Sequence, residues 1–146
     1  MKIRQVMTMK VQCVKPADTL VQAAIAMRRL NIGAVPVCGE NGKLVGMLTD
    51  RDITIRAVAD GRDPQTTTVA EVLSPGIIYA RDDQEVVEGV HLMEKYQIRR
   101  LPVVNIENQL VGIISLGDIA TGATNRLSGE ALQEVSSPAS SAEAER

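Results

Sequence analysis

Apolar residues in this chain gather in short runs, and the runs come in pairs. Ala34 to Cys38 is followed by a polar turn, Gly39-Glu-Asn-Gly42, and then by Leu44 to Leu48. Leu101 to Val104, Asn105-Ile-Glu-Asn108 and Leu110 to Ile114 repeat that order. Each pair predicts a β-hairpin, and apolar character that is nearly continuous rather than alternating predicts strands covered on both faces. Directly after each second run stands a hydroxyl residue with a carboxylate three positions on, Thr49-x-x-Asp52 and Ser115-x-x-Asp118. That spacing marks a helix N-terminus, because the hydroxyl and the carboxylate can each accept a backbone N–H from the other residue.

The remaining segments read in the same way. Ile3 to Met7 predicts one helical turn, and Val11 to Val14 a short strand before Pro16. Thr19-x-x-Gln22 opens a helix with Leu20, Ala24 and Met27 on one face, closing near Asn31-Ile32-Gly33 with Gly33 as the left-handed cap. Thr68-x-x-Glu71 opens a short helix, Ile77 to Tyr79 reads as a strand, and Val86, Val90 and Met93 line a second long helix. Pro36 falls on Pro102, Gly46 on Gly112 and Asp52 on Asp118, all 66 positions apart, and the repeat runs without a gap from Val6 on Val72 to Ala57 on Ala123. The expected organisation is therefore a first repeat over 1–62, a second over 63–125 and a tail over 126–146. The polar stretch Asp60 to Thr67 links the repeats, and the Ser, Ala and Glu-rich tail is disordered or partly helical by composition.

One repeat alone leaves a sheet face and helix stripes uncovered, so the expected fold is α/β (α+β), two β-α-β-β-α units packed sheet to sheet with pseudo-twofold symmetry. Clefts at such joints are ordinary places for small ligands.

Composition removes several function classes. The chain has no Phe or Trp and only Tyr79 and Tyr96, so stacking platforms for single-stranded nucleic acid are nearly absent. Its net charge is −2, with 16 basic and 18 acidic residues intermingled, so no basic field favours nucleic acid or a membrane surface. The apolar runs are too short to span a bilayer and no signal-peptide pattern follows Met1, so a soluble, cytoplasmic protein is expected. His91 is the sole histidine and the two cysteines are far apart in sequence, a poor zinc set. No nucleophile–base set, phosphate-binding loop or GxGxxG can be assembled, so no enzymatic activity and no catalytic cofactor are expected. Cys13 and Cys38 fall on strands that are neighbours in one unit; they read either as two reduced thiols or as a disulfide or redox pair.

The β-α-β-β-α order, the endings Gly46-Met-Leu-Thr49-Asp-Arg-Asp52-Ile53 and Gly112-Ile-Ile-Ser115-Leu-Gly-Asp118-Ile119, and the run Arg99-Arg100-Leu101-Pro102-Val103 together resemble a tandem pair of cystathionine β-synthase (CBS) domains over residues 1 to 125. The wording of the first copy is similar to that of small stand-alone pairs from prokaryotes. The resemblance implies a non-catalytic regulatory module that binds AMP, ADP, ATP or S-adenosylmethionine in the cleft between repeats. Carried over by position, one cleft uses Thr49 and Asp52 toward ribose, Ile77, Tyr79 and Ala80 along the adenine, and Arg99 and Arg100 near phosphate. The opposite cleft uses Ser115 and Asp118 with Val11 and Cys13, but Gly33 and Ala34 stand where the first has its arginines. Phosphorylated ligands are therefore expected at the first, and nothing or a less charged adenosyl compound at the second.

A plainer account competes with that one, in which Thr49, Asp52, Ser115 and Asp118 are helix caps and nothing more, and Arg99 and Arg100 a solvated pair. Val21, Ile25, Ile55 and Val58 are expected to leave an apolar helical surface that a second copy covers, giving a homodimer. With no effector domain in these residues, the output of the module is expected to pass to a separate protein. The alternative function is a stress-related structural or redox protein using Cys13 and Cys38 without nucleotide; nucleic-acid binding through Arg28, Arg29, Arg99 and Arg100 is weaker still.

Overall fold

The structure is a computed structural model that describes residues 1–9, 11–74 and 76–122. It forms two compact units, and their borders cut across the sequence repeat. One comprises Gln12–Ile78 with Glu107–Leu110, the other Met1–Val11, Tyr79–Ile106 and the described residues from Val111 on. The tail over 126–146 lies outside the described residues.

In the first of these units, helix α1 (Leu20–Leu30) begins where the sequence places it. The Thr19 hydroxyl accepts the Gln22 N–H at 3.2 Å, and the Gln22 side-chain oxygen accepts the Thr19 N–H at 2.8 Å. The N–H groups of Leu20 and Val21, which have no partner inside the helix, donate to the carbonyls of Thr67 and Pro64. The expected linker is thus tied down, with Thr67 buried. The buried stripe of α1 is Leu20, Ala23, Ala26 and Met27, whereas Ala24 is exposed. The i+3 positions face inward here, so the stripe lies one residue to the side of the expected one. The helix closes at Asn31 (φ 56°), two residues before Gly33. Asn enters the left-handed region more readily than most side chains, and Gly33 is small for another reason: a Cβ there would lie 2.8 Å from Asp50 Oδ2.

Strand β1 (Ala34–Cys38) pairs antiparallel with β2 (Leu44–Thr49), Ala34 opposite Thr49 and Val37 opposite Gly46. The turn between them uses positive φ at Asn41 and Gly42. On the other side of β1, Val14 forms a parallel bridge with Val37; its N–H donates to Pro36 O and its carbonyl accepts from Cys38 N–H, both at 2.9 Å. The strand expected over Val11 to Val14 thus contracts to its last residue. Helix α2 (Asp50–Ile53) runs on as a π-helix over Thr54–Val58, and α3 (Val69–Val72) is capped by Thr68 and Glu71. Val14, Leu20, Val35, Val37, Leu48, Val69 and Val72 form the heart of an aliphatic core, and full burial of a side chain of this kind contributes about 1.5–3 kcal/mol.

The second unit repeats these devices. Strand β3 is Ala80–Arg81 rather than Ile77 to Tyr79, and Ala80 pairs in parallel with Val103 of β4 (Arg100–Val104). Ala80 stands 66 positions after Val14. Both repeats therefore correct the expectation alike: the buried Val14 and Ala80 enter the sheet, and the exposed Cys13 and Tyr79 before them stay out. β4 is hydrogen-bonded to β5 (Leu110–Ser115), and residues 116–122 are helical. Helix α4 (Val86–Tyr96) buries Gly89 and Met93 and closes at Gln97 with φ 54°. Residues 3–5 form one 3₁₀ turn, with Ile3 fully buried; Val86 N–H donates to Met1 O, as Leu20 N–H does to Thr67 O in the first unit. Leu101, Val103, Val104 and Ile114 complete a core of the same aliphatic kind.

Each repeat therefore delivers its opening segment to the strands of the other. Residues 1–11 pack in the unit built on the second repeat, and α3 packs in the unit built on the first.

Candidate functional site

The two hydroxyl-x-x-carboxylate turns have the same geometry. Thr49 N–H donates to Asp52 Oδ2 at 3.0 Å and Asp52 N–H to Thr49 Oγ1 at 3.1 Å. In the second repeat, Ser115 N–H donates to Asp118 Oδ2 and Asp118 N–H to Ser115 Oγ, both at 3.0 Å. Each turn is a reciprocal capping box, so the plain account of these residues describes what they do within each unit. The boxes also leave all four side chains part-exposed at the end of a strand, with an acidic group held rigid by its own backbone bonds.

The boxes differ in one respect that the motif does not reveal. Asp52 Oδ1 accepts the Ser74 hydroxyl at 3.1 Å, while Asp118 has no corresponding donor among the described residues. Ser74 was not among the candidate residues. Its signal was the repeat itself, which aligns it with Thr8, a second hydroxyl in the short segment handed over to the other repeat's strands.

The residues that the resemblance assigns to one ligand fall in both units: Thr49, Asp52 and Ile77 in one, Tyr79, Ala80, Arg99 and Arg100 in the other. Ile77 is half-buried and Tyr79 exposed, whereas the Ala80 side chain is buried beneath the β3–β4 pairing. Arg99 and Arg100 are exposed at the entry to β4; the Arg99 carbonyl accepts Leu116 N–H, and neither guanidinium makes an ion pair or hydrogen bond among the described residues. At the equivalent place in the first repeat, Gly33 O accepts Asp50 N–H at 2.9 Å, and the Asp50 carboxylate covers Gly33. One repeat thus presents two cations where the other presents an anion. Of the second set, Val11 is half-buried, Cys13 exposed, and Ser115 and Asp118 half-buried.

His91 is exposed on α4, and among the described residues no three His, Cys, Asp or Glu side chains come together as a metal set. Cys13 and Cys38 are both free thiols. Cys38 is buried, and that burial, with a hydrogen bond to and the charge of Cys13, pushes its pKa up to about 12. No helix among the described residues is long and apolar enough to cross a membrane.

The CBS domain model matches residues 3–58 and again 69–123. The chain belongs to the CBS domain family. It is 44% identical over 135 residues to the CBS domain-containing protein YhcV of Bacillus subtilis, covering 92% of this chain and 94% of that one. It is also 44% identical over 117 residues to hypoxic response protein 1 of Mycobacterium tuberculosis, covering 80% and 81%. A crystal structure of Hypoxic Response Protein I with two coordinated zinc ions superposes with a TM-score of 0.77 at 43% identity, over 83% of this chain and 98% of that one. The CBS domain pair of protein MJ0100, solved with 5′-methylthioadenosine and S-adenosyl-L-methionine, superposes with a TM-score of 0.71 at 28% identity, over 83% and 98%. Family and neighbours together support a CBS pair acting as a regulatory ligand-binding module.

Proposed function

We propose that this CBS pair binds an adenosine-containing ligand and passes its binding state to a separate effector protein. In this reading Thr49 and Asp52 meet the ribose, Ile77, Tyr79 and the Ala80 backbone meet the base, and Arg99 and Arg100 meet phosphate. Ser115 and Asp118, with Val11 and Cys13, take a less charged adenosyl compound or remain unused. The observation that carries the reading is the recurrence of one carboxylate box in both repeats; Arg99 and Arg100, whose guanidinium groups make no ion pair or hydrogen bond among the described residues, have no counterpart in the first repeat. A guanidinium–phosphate contact contributes roughly 1.5–3 kcal/mol, about 10- to 150-fold in affinity. Both arginines together are therefore enough to separate AMP from an uncharged nucleoside. The relative MJ0100, crystallised with two adenosyl compounds, adds support from within the family.

The ligand acts by shifting a conformational equilibrium, and the shift cannot exceed its differential affinity for the two states. The exposed Ile25, Ile55 and Val58 are the surface we assign to a second copy of the chain, giving a homodimer.

The test is calorimetric titration of AMP, ATP, S-adenosylmethionine and 5′-methylthioadenosine into the wild type and into an Arg99→Gln/Arg100→Gln variant. AMP and ATP should lose at least ten-fold in affinity in the variant while 5′-methylthioadenosine is unchanged. No binding of any adenosyl compound to the wild type would dispose of the reading, and equal losses for all ligands would dispose of the phosphate role.

A further inference from the structure

Beside the bridge of Val14 to β1, the Gln12–Ile78 unit holds a cavity of about 310 Å³ lined by Gln12, Cys13, Val14, Asp18, Arg29 and Val35 among others. Its lining combines the aliphatic Val14, Ala26 and Val35 with one guanidinium and one carboxylate. Arg29 donates to Gln12 Oε1 at 3.2 Å and makes no ion pair among the described residues. Asp18 Oδ2 accepts the Lys15 backbone N–H at 2.9 Å. The exposed Cys13 thiol lines the same cavity. Next to it is Cys38: the hydrogen bonds of Val14 to Pro36 and Cys38 place the two cysteines on the same face of the pairing, and the two thiols are within hydrogen-bond reach of each other.

We propose that Cys13 is a site of mixed-disulfide formation with a low-molecular-weight thiol of amino-acid type, Arg29 seating the carboxylate of that thiol and Asp18 its ammonium group. The Cys13 thiolate attacks one sulfur of the small disulfide, the S–S bond of that reagent breaks, and its other half leaves as a thiolate that takes up a proton. The small disulfide is the only oxidant required, and it leaves as one mixed disulfide and one free thiol. Cys38 is the resolving thiol. Its attack on the Cys13 sulfur would release the second thiol and leave a Cys13–Cys38 disulfide, but exchange proceeds through the thiolate, and burial keeps Cys38 protonated near neutrality. Resolution is therefore slow and the adduct on Cys13 accumulates. This inference does not rest on the nucleotide reading, because it is tested on the ligand-free chain.

The experiment treats the reduced full-length chain, in the presence of a chelator, with glutathione disulfide or with uncharged bis(2-hydroxyethyl) disulfide, following intact mass and mapping the modified peptide. Glutathione disulfide should give one adduct per chain, on Cys13, and Cys38→Ser should form it at the same rate and retain it. Arg29→Gln, an exposed change on α1, should slow the glutathione reaction about three-fold at low salt, the effect of one exposed ion pair, and the difference should fade at high salt. The hydroxyethyl reagent should not distinguish Arg29→Gln from wild type. Three results would overturn the proposal: no adduct or an adduct on Cys38, an equal effect of Arg29→Gln on both reagents, or an internal disulfide as the sole product from the earliest times.

Discussion

Gly46 and Gly112 occupy the same position of the repeat, yet substituting each with Ala should have unequal consequences. At Gly112 a Cβ would lie 2.7 Å from the Thr8 carbonyl oxygen and 2.8 Å from Met7 Sδ. Met7 is flexible and can swing away. The Thr8 carbonyl cannot, because it accepts Ile113 N–H at 3.0 Å while Thr8 N–H donates to Ile113 O at 2.8 Å. Relief requires either overpacking, at about 1–3 kcal/mol, or release of that two-bond bridge at about 0.5–1.5 kcal/mol per bond. Ala recovers only about 0.4–1 kcal/mol by restricting the unfolded chain, which leaves a net loss of about 1–2 kcal/mol. At Gly46 the nearest atoms are the Leu73 methyl carbons at 3.2 and 3.3 Å, the movable end of a side chain. That relief is of the same size as the entropic gain, so Gly46→Ala should stay within about 0.5 kcal/mol of wild type.

Urea denaturation of both variants measures the difference, and amide hydrogen exchange locates it. Thr8 and Ile113 amides should lose protection in Gly112→Ala and in no other variant of the pair. Met7→Ala added to Gly112→Ala should not rescue stability, since the obstruction is the backbone carbonyl. A Gly46→Ala loss as large as that of Gly112→Ala would refute the reasoning, as would full rescue by Met7→Ala.

Further outcomes follow from the caps. Asp52→Asn can still accept Thr49 N–H, so it should unfold within about 0.5 kcal/mol of wild type while Asp52→Ala loses about 1 kcal/mol; both should lose the adenosyl ligand in calorimetry. Gln97→Gly removes an unfavourable left-handed side chain at the end of α4 and should stabilise by up to about 1 kcal/mol in the same denaturation assay. The Glu71 carboxyl is held below its ordinary range first by the Thr68 backbone N–H, then by the Thr68 hydroxyl and Arg62. Its folded pKa is depressed, so its contribution is present above the unfolded carboxylate range and is lost as pH falls through the folded value. The stability gap between wild type and Glu71→Gln should therefore close on acidification, and a gap constant with pH would refute the assignment.

Much of this was legible because local chemistry repeats. The four-residue spacings starting at Thr19, Thr49, Thr68 and Ser115 marked four helix starts, and all four open helical segments in the structure. The hairpins were legible from their runs and turns. What escaped was anything set by partners distant in sequence. Val11 to Val14 and Ile77 to Tyr79 have the composition of strands, but a parallel ladder forms only where the neighbouring strand offers free groups, and that begins at Val14 and Ala80. Gly33 looked like a cap since Gly favours positive φ; Asn31 holds that conformation, and Gly33 makes room for the carboxylate of Asp50, seventeen residues away, in a turn that sequence distance conceals.

The exchange of opening segments explains why the two repeats could diverge without losing their frame. Each hairpin keeps its box, its glycine and its left-handed helix end from its own sequence, but the residues that close over that glycine come from the other repeat: Leu73 over Gly46, Met7 and Thr8 over Gly112. Ser74 reaches Asp52 by the same route. A substitution in residues 6–8 therefore acts on the unit of Ser115 and Asp118, and one in 72–74 on the unit of Thr49 and Asp52. Ser74→Ala is the direct probe of this crossing. It removes a donor from the Asp52 carboxylate without touching the capping box, freeing Oδ1 for a ribose hydroxyl. Competition by one hydrogen bond to a carboxylate, up to about 1.5–3 kcal/mol, amounts to up to about ten- to 150-fold in adenosyl affinity. Tighter binding in Ser74→Ala would mark Ser74 as a competitor for the carboxylate. Weaker binding would instead make it part of the ligand contact, and would overturn the view that the box alone supplies the ribose end.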